Sequence, residues 1–368
     1  NERKESLRTS NPASKKQDEV PWDLFDRCIL PVIFSHGAAI ILSFVLNVLR
    51  ISQVSSFTLF ILFLILSLGT TIFYHNLTVS VLITGCETRM SSVLAKQLDE
   101  LGFTVFAAFS DLSGDSQALK DECSGRLKII QLNPTSEKQL QEAYQFVKNN
   151  LPQNAPGLWA LINNNCWAAF GEVEWVPLQV YERAADYNLF ATIRSTQVFL
   201  PLLRKTQGRI INVSSLAGKV ASPVRSPFCS MKFALEAFSE CLRLELKKWG
   251  VDVVVIEPGQ FTSGSWFEEK EVLQQAKRMW QEMSDDSKAD YGEDYFELWC
   301  RCFNKYWDDE DSKWKFWRMD LTPTVRSLVD SVTRTFPMAR YTPVTKQEKL
   351  QAFVAEHLPR SVYDILYS

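Results

Sequence analysis

Histidine is almost missing from this chain. Three occur in 368 residues, His36, His75 and His357, far apart in sequence. That leaves little material for a metal centre or for serine–histidine catalysis. No C-x-x-C pair exists among the eight cysteines, and only Cys300 and Cys302 are close-spaced. The pattern is that of reduced thiols in a cytosol-like compartment, not a disulfide framework or a zinc site. An excess of one charge is also lacking: 40 basic against 43 acidic side chains leave a net −3. With no basic stripe, nucleic acid is not an expected partner. There is no internal repeat and no low-complexity linker. What is plentiful is apolar: 46% of residues are hydrophobic, enough at this length for a full-sized core plus accessory segments.

Two apolar runs lie near the N-terminus. The first, Ile29–Leu49, is softened by Pro31, Ser35, His36, Gly37 and Asn47; the second, Phe57–Phe73, carries no charge. A membrane span needs ~20 apolar residues, with a lower limit near ~17. The expectation is a helical hairpin over 28–75, joined by Arg50–Ser56, behind a polar tail at 1–27. For the first run a buried or interfacial helix is the competing reading. The long polar tail argues against a signal peptide, and its acids Glu2, Glu5, Asp18 and Glu19 argue against a mitochondrial presequence. The chain begins without Met, so a preceding piece is expected. Arg3, Lys4, Arg8, Lys15, Lys16 and Arg27 precede the first run, against a lone Arg50 between the two. The positive-inside rule then places the N-terminus, and after two spans the large domain, in the cytosol. An endoplasmic reticulum membrane is expected, with a mitochondrial membrane as the alternative.

From Thr78 onward, short β-branched runs alternate with helical periodicity. Strands are expected at Thr78–Thr84, Thr104–Ala108, Leu127–Leu132, Leu158–Ile162, Arg209–Val213 and Val251–Glu257. Helices are expected at Glu137–Asn149, Gln179–Leu203 and Phe228–Leu246. This alternation predicts an α/β domain over 78–368: a doubly wound parallel sheet of Rossmann type with helices on both faces.

Asn212-Val213-Ser214-Ser215 is followed, thirteen residues after Ser215, by Phe228-Cys229-Ser230-Met231-Lys232. This resembles the Ser…Tyr-x-x-x-Lys constellation of the short-chain dehydrogenase/reductase family, with Phe in the Tyr slot. VLITGC, GLWALINN, FLPLLRKTQGRIINVSS, LEAFSECLR, VVVIEPG, DYGEDYF and RYTPV resemble, in order, the branch holding D-β-hydroxybutyrate dehydrogenase, with retinol and 17β-hydroxysteroid dehydrogenases as relatives. The resemblance covers Thr78 to the C-terminus. It implies an NAD- or NADP-dependent oxidoreductase. In such enzymes the Tyr is the general acid/base, the Lys one helical turn on lowers its pKa, and the Ser binds the substrate oxygen. Phe228 has the ring but no ionisable oxygen. Losing a positioned acid/base costs ~10²–10⁴ in rate.

The resemblance also assigns the cofactor positions. The family's Thr-Gly-x-x-x-Gly-x-Gly turn reads Thr84-Gly85-Cys86-Glu87-Thr88-Arg89-Met90-Ser91, keeping only the first glycine. Arg89 either offers a phosphate contact or marks a loop that has drifted. Asn-Asn-Ala-Gly reads Asn163-Asn164-Asn165-Cys166, placing larger groups where the ribose would lie. Phe109 ends the second strand where some relatives carry an acid for the ribose. Asn188 matches a helix asparagine that carries a water relay to the Lys, and Pro258-Gly259 matches a turn beside the nicotinamide. Each intact position also has a plain structural use. Asn188 can satisfy a helix bend, Ser215 can cap, Asn163 can brace the central strands and Lys232 can pair with an acid. Weak or absent dinucleotide binding is expected.

The region 260–320 is rich in aromatics and matches the family's substrate lid, although rings at helical spacing equally build core. The tail from Lys349 carries Leu350, Phe353, Val354, Leu358, Val362, Ile365 and Leu366, which either rest on a membrane or dock on the domain. Three readings follow: a membrane-anchored binding or scaffolding protein without dehydrogenase activity, an active or impaired NAD(P) oxidoreductase on a hydrophobic alcohol or ketone, and a ligand carrier. The first is preferred. Expected partners are the bilayer, a hydrophobic small molecule, and a second copy or another protein.

Overall fold

The computed structural model describes residues 30–49, 55–75, 79–112, 114–259, 269–292, 294–308 and 320–367. The polar tail 1–27, residues 309–319 and residues 260–268 with Phe261, Trp266 and Phe267 lie outside them. The chain divides into two units. One holds residues 1–74 with 334–336, the other 75–333 with 337–368.

The first unit contains α1 (Leu30–Val48) and α2 (Ser56–His75). Ser35, Ala39 and Ser43, at helical spacing on α1, are buried, while Phe34, Ile41, Phe44, Phe57, Ile65 and Leu66 are exposed. His36 meets Phe60 edge-on with ring centroids 5.4 Å apart. On α1 the buried side chains are thus small ones, while α2 buries Leu59 and leaves most of its described large apolar side chains exposed. Among the described residues no helix is long and apolar enough to cross a membrane.

The second unit is a seven-stranded, wholly parallel sheet in the order β3-β2-β1-β4-β5-β6-β7. Its elements, in chain order, start with β1 (Ser80–Thr84), α3 (Arg89–Glu100), β2 (Thr104–Phe109), α4 (Gly114–Glu122) and β3 (Leu127–Gln131). Then come α5 (Glu137–Asn149), β4 (Ala160–Asn163), α6 (Leu178–Ala185), α7 (Ala191–Thr206), β5 (Arg209–Val213), α8 (Ser226–Leu246) and β6 (Asp252–Ile256). Three lid helices follow, α9 (Glu269–Glu282), α10 (Asp285–Tyr291) and α11 (Tyr295–Asp308). The unit ends with α12 (Thr322–Thr333), β7 (Arg340–Tyr341), α13 (Lys346–His357) and α14 (Arg360–Tyr367).

β1, β2, β4 and β5 are buried along their whole length, as a sheet covered on both faces requires. One face packs Val81, Ile83, Val105 and Ala107 against Leu94 and Leu98 of α3 and Leu328 of α12. The other packs Leu82, Phe106, Leu161 and Ile210 against Leu140, Phe199 and Leu246. Strand order reverses between β1 and β4, so a crevice opens outside their carboxyl ends.

The single helix expected over Gln179–Leu203 is two helices separated by a π-helical turn, Asp186–Phe190. The cause is Asn188, wholly buried at its centre. Its Nδ2 donates to Trp167 O (2.7 Å) and Ala184 O (2.9 Å), and its Oδ1 accepts from Trp167 N (3.2 Å). A wider turn presents that amide to a segment twenty-one residues away.

Candidate functional site

Thr84, Asn163 and Asn212 lie side by side, in register, across the carboxyl ends of β1, β4 and β5. Asn163 Nδ2 donates to Asn212 Oδ1 (2.9 Å), and Asn212 Nδ2 donates to Ser239 Oγ (2.9 Å). Asn163 therefore braces the central strands. Thr84 Oγ1 donates to Ile162 O (3.3 Å) and accepts from Asn164 N (3.2 Å), stitching β1 to β4.

The turn after β1 is closed by its own side chains. Gly85 adopts φ +67°, and a Cβ there would sit 2.8 Å from Asn164 O, so the turn needs glycine for steric reasons alone. Ser91 is fully buried with its hydroxyl turned inward. Oγ donates to Thr88 O (2.8 Å) or Gly85 O (3.1 Å) and lies 2.8 Å from Thr88 Oγ1. Thr88 caps α3 by accepting from Ser91 N (3.2 Å). Arg89 is exposed on the first turn of that helix. Glu87 accepts a hydrogen bond from Ser110 N, at the end of β2.

Beyond β4, Asn164 Nδ2 donates to Gly85 O (2.9 Å). Asn164 Oδ1 and Asn165 Nδ2 are buried with no hydrogen-bond partner among the described residues. Burial pushes the Cys166 thiol up, against the opposing charge of Lys232.

β5 runs straight into Ser215, which caps the short turn Leu216–Gly218 by accepting from Ala217 N (3.2 Å). Helix α8 begins with Pro227 in its first turn and brings Phe228 and Lys232 onto one face. Lys232 Nζ lies 5.5 Å from the centroid of the Phe228 ring and donates to Val213 O (3.1 Å). Lys232 is 1% exposed, and burial lowers its pKa; Cys166 and Glu236 oppose that shift. The acid that could pair with it, Glu236, is committed to Arg340 instead. Phe228 sits among Ala168, Phe170 and Val272, with Trp299 and Phe303 of α11 and Cys166 at the edge.

The aromatic-rich region is a continuous ring stack, as a core reading of its helical spacing expects. Trp280–Phe296 (5.3 Å, 15°), Phe296–Trp299 (5.9 Å, 10°) and Trp299–Phe303 (5.3 Å, 13°) run toward Phe170 and Phe228, with Trp175 set edge-on against three of them. Tyr291 and Tyr295 donate to Glu172 and Glu174, tying the lid to the segment after β4.

Sequence reasoning missed the ion network beneath Pro258-Gly259. Glu257 is fully buried; it pairs with Arg340, lies 3.1 Å from Lys219 Nζ, and accepts from Thr342 Oγ1 (2.9 Å). Lys219 also reaches Glu356 of α13 (3.1 Å). Gly259 donates to Pro343 O (3.3 Å), and a Cβ on it would meet the Glu348 carboxylate at 2.5 Å. The signal was present in EPG and RYTPV, but nothing local in either segment says that they meet.

An open parallel sheet with Ser215, Lys232 and Asn188 gathered at one end of its strands is the frame of a dinucleotide-fold oxidoreductase. The chain belongs to the short-chain dehydrogenase family, whose model matches residues 79–272. It is 36% identical over 293 residues to the mitochondrial D-beta-hydroxybutyrate dehydrogenase of Rattus norvegicus, covering 78% of this chain and 83% of that protein. It is 36% identical over 294 residues to human 17-beta-hydroxysteroid dehydrogenase type 2 (77% and 72%) and 34% identical over 287 residues to human dehydrogenase/reductase SDR family member 9 (78% and 86%). A short-chain dehydrogenase from Streptomyces avermitilis shares the fold, with TM-score 0.54 at 18% identity, over 78% of this chain and 95% of that one.

Proposed function

We propose that this protein is a membrane-attached member of the family that binds an apolar ligand or a protein partner and does not turn over as a dehydrogenase. The observation that carries this reading is Phe228. It occupies the acid/base position over Lys232, in an apolar cluster, and offers no oxygen to move a proton.

The residues present fit a dinucleotide poorly. Its pyrophosphate would need backbone amides free at the N-terminus of α3. Thr88 already takes the Ser91 amide, Ser91 fills the turn, and Arg89 adds a side chain at a position of close approach. Glu348 stands against Gly259 at the far end of the crevice. Favouring a residual NAD(P) oxidoreductase instead are the unpartnered Asn164 Oδ1 and Asn165 Nδ2, which a ligand could satisfy. For such an enzyme, the names of the relatives suggest 3-hydroxybutyrate or a hydroxysteroid as substrate.

Attachment to a bilayer is supported by the outward rows of Phe, Ile and Leu on α1 and α2. The endoplasmic reticulum is the proposed membrane, with the large domain on the cytosolic side; the name of the rat relative makes a mitochondrial membrane the alternative. Two experiments test the proposal. Purified protein should give no NAD- or NADP-dependent oxidation of 3-hydroxybutyrate, retinol or a hydroxysteroid, and measurable turnover would refute the binding-protein reading. Alkaline carbonate should leave the protein in the membrane pellet, and release into the supernatant would refute the anchor.

A further inference from the structure

Lys232 is a buried amine with no acid in ion-pair contact among the described residues. It is 1% exposed, its single hydrogen bond goes to Val213 O at 3.1 Å, and it forms no ion pair among the described residues. Of the nearby carboxylates, Glu257 pairs with Arg340 and Lys219, and Glu236 pairs with Arg340 through Oε2; Glu236 Oε1 is buried without a hydrogen bond among the described residues, yet makes no ion pair with Lys232. A buried ammonium normally requires such a partner. Without one, desolvation outweighs the opposing pull of Cys166 and Glu236 and favours the neutral amine, the form with a free lone pair. Above it lies the Phe228 ring, continued by Phe170, Trp299 and Phe303. A tyrosine at 228 would have placed a hydroxyl beside this amine; phenylalanine leaves only hydrocarbon.

We propose that Lys232 is a nucleophile that captures an apolar aldehyde as an imine. The nitrogen lone pair attacks the carbonyl carbon, forming the C–N bond, and the carbonyl oxygen takes up a proton. The proton on that oxygen comes from the amine; the resulting carbinolamine then loses its hydroxyl together with the one proton left on nitrogen, as water, and C=N forms. Amine and aldehyde yield imine and water, with no change of oxidation state and no co-reactant. The hydrocarbon part of the aldehyde lies against Phe228 and Phe170, in space that Trp299 and Phe303 cover, so entry requires those lid rings to move. The inference deepens the binding-protein reading by naming a ligand class, and rests on it in that a dinucleotide would share the same crevice.

The test uses the full chain in detergent, incubated with nonanal and cyanoborohydride, which reduces an imine to a stable secondary amine. Peptide mapping then locates the adduct. A lowered pKa leaves a larger neutral fraction at pH 7, so Lys232 should label faster than Lys138, which is 86% exposed. The fast adduct should vanish in Lys232→Arg. In Trp299→Ala, which opens the lid and keeps the amine, it should form several-fold faster. Labelling of Lys138 with Lys232 untouched in both the parent protein and Trp299→Ala would overturn the proposal. If added NADH blocks labelling of Lys232, the imine stands and the dinucleotide-free reading falls; if NADH has no effect and Lys232 stays unmodified, the imine alone falls.

Discussion

Lys232 Nζ sits 5.5 Å from the centroid of the Phe228 ring, on the next turn of the same helix. This is the one-turn spacing that the family resemblance implies for its Tyr and Lys, with a ring at 228 that carries no ionisable oxygen. Restoring the oxygen with Phe228→Tyr is expected to give no dehydrogenase activity by itself. Proton transfer is useful only with a hydride partner in register, and a 1 Å misplacement can cost ~10² in rate. Turnover should need Arg89→Gly, Ser91→Gly, Asn165→Ala and Cys166→Gly as well. Robust oxidation of 3-hydroxybutyrate or a hydroxysteroid by the single variant, followed as NADH formation, would show that the cofactor site was intact.

Ser91→Gly should lower stability even though it restores a family glycine. The serine hydroxyl bonds within the turn at 2.8 and 3.1 Å, and the side chain is fully buried. Removing it costs about 1 kcal/mol in lost hydrogen bonding, with roughly another 0.5–1 kcal/mol for glycine in the first turn of a helix. Denaturant melts should show a lower midpoint. An unchanged or raised midpoint would mean that Ser91 does not hold the turn.

How much of this could be read in the sequence depends on how local the cause is. β1, β2 and β5 announce themselves because strands buried on both faces read as short, mostly apolar and β-branched runs, and the Phe228-x-x-x-Lys232 spacing survives because one helical turn fixes it. The inward rotation of Ser91 was not legible: a serine in a glycine slot reads as an obstruction until its hydroxyl is seen closing the turn. The π-helical turn at Asn188 depends on a backbone segment twenty-one residues earlier. β7 is two residues long and carries no periodicity, and Arg340 meets Glu257 across eighty-three residues of chain.

Arg340→Met should be among the most damaging single changes in the domain. It strands Glu257, which is fully buried, and Glu236, whose pKa burial already raises. Removing one partner from a buried ion cluster costs about 3–5 kcal/mol. A loss under ~1 kcal/mol in urea melts would show that Lys219 alone can carry Glu257.

The lowered Lys232 pKa has a definite signature in pH. Below its folded-state value the fold must hold an uncompensated ammonium, while above the unfolded value near 10.5 both states are neutral. Between the two, the unfolded chain binds more protons, so stability contributed at this site rises with pH. The stability of the parent protein relative to Lys232→Met should therefore improve as pH climbs toward 10.5. A flat or falling difference would mean that the amine is charged and satisfied in the fold.

The central claim is that this crevice no longer takes a dinucleotide, and isothermal titration of the purified full chain with NADH and NADPH tests it most directly. Thr88 caps the helix, Ser91 fills the turn and Glu348 covers Gly259, so no saturable heat is expected at micromolar cofactor. A dissociation constant in the micromolar range for either cofactor would contradict the account and return the protein to the working dehydrogenases of its family.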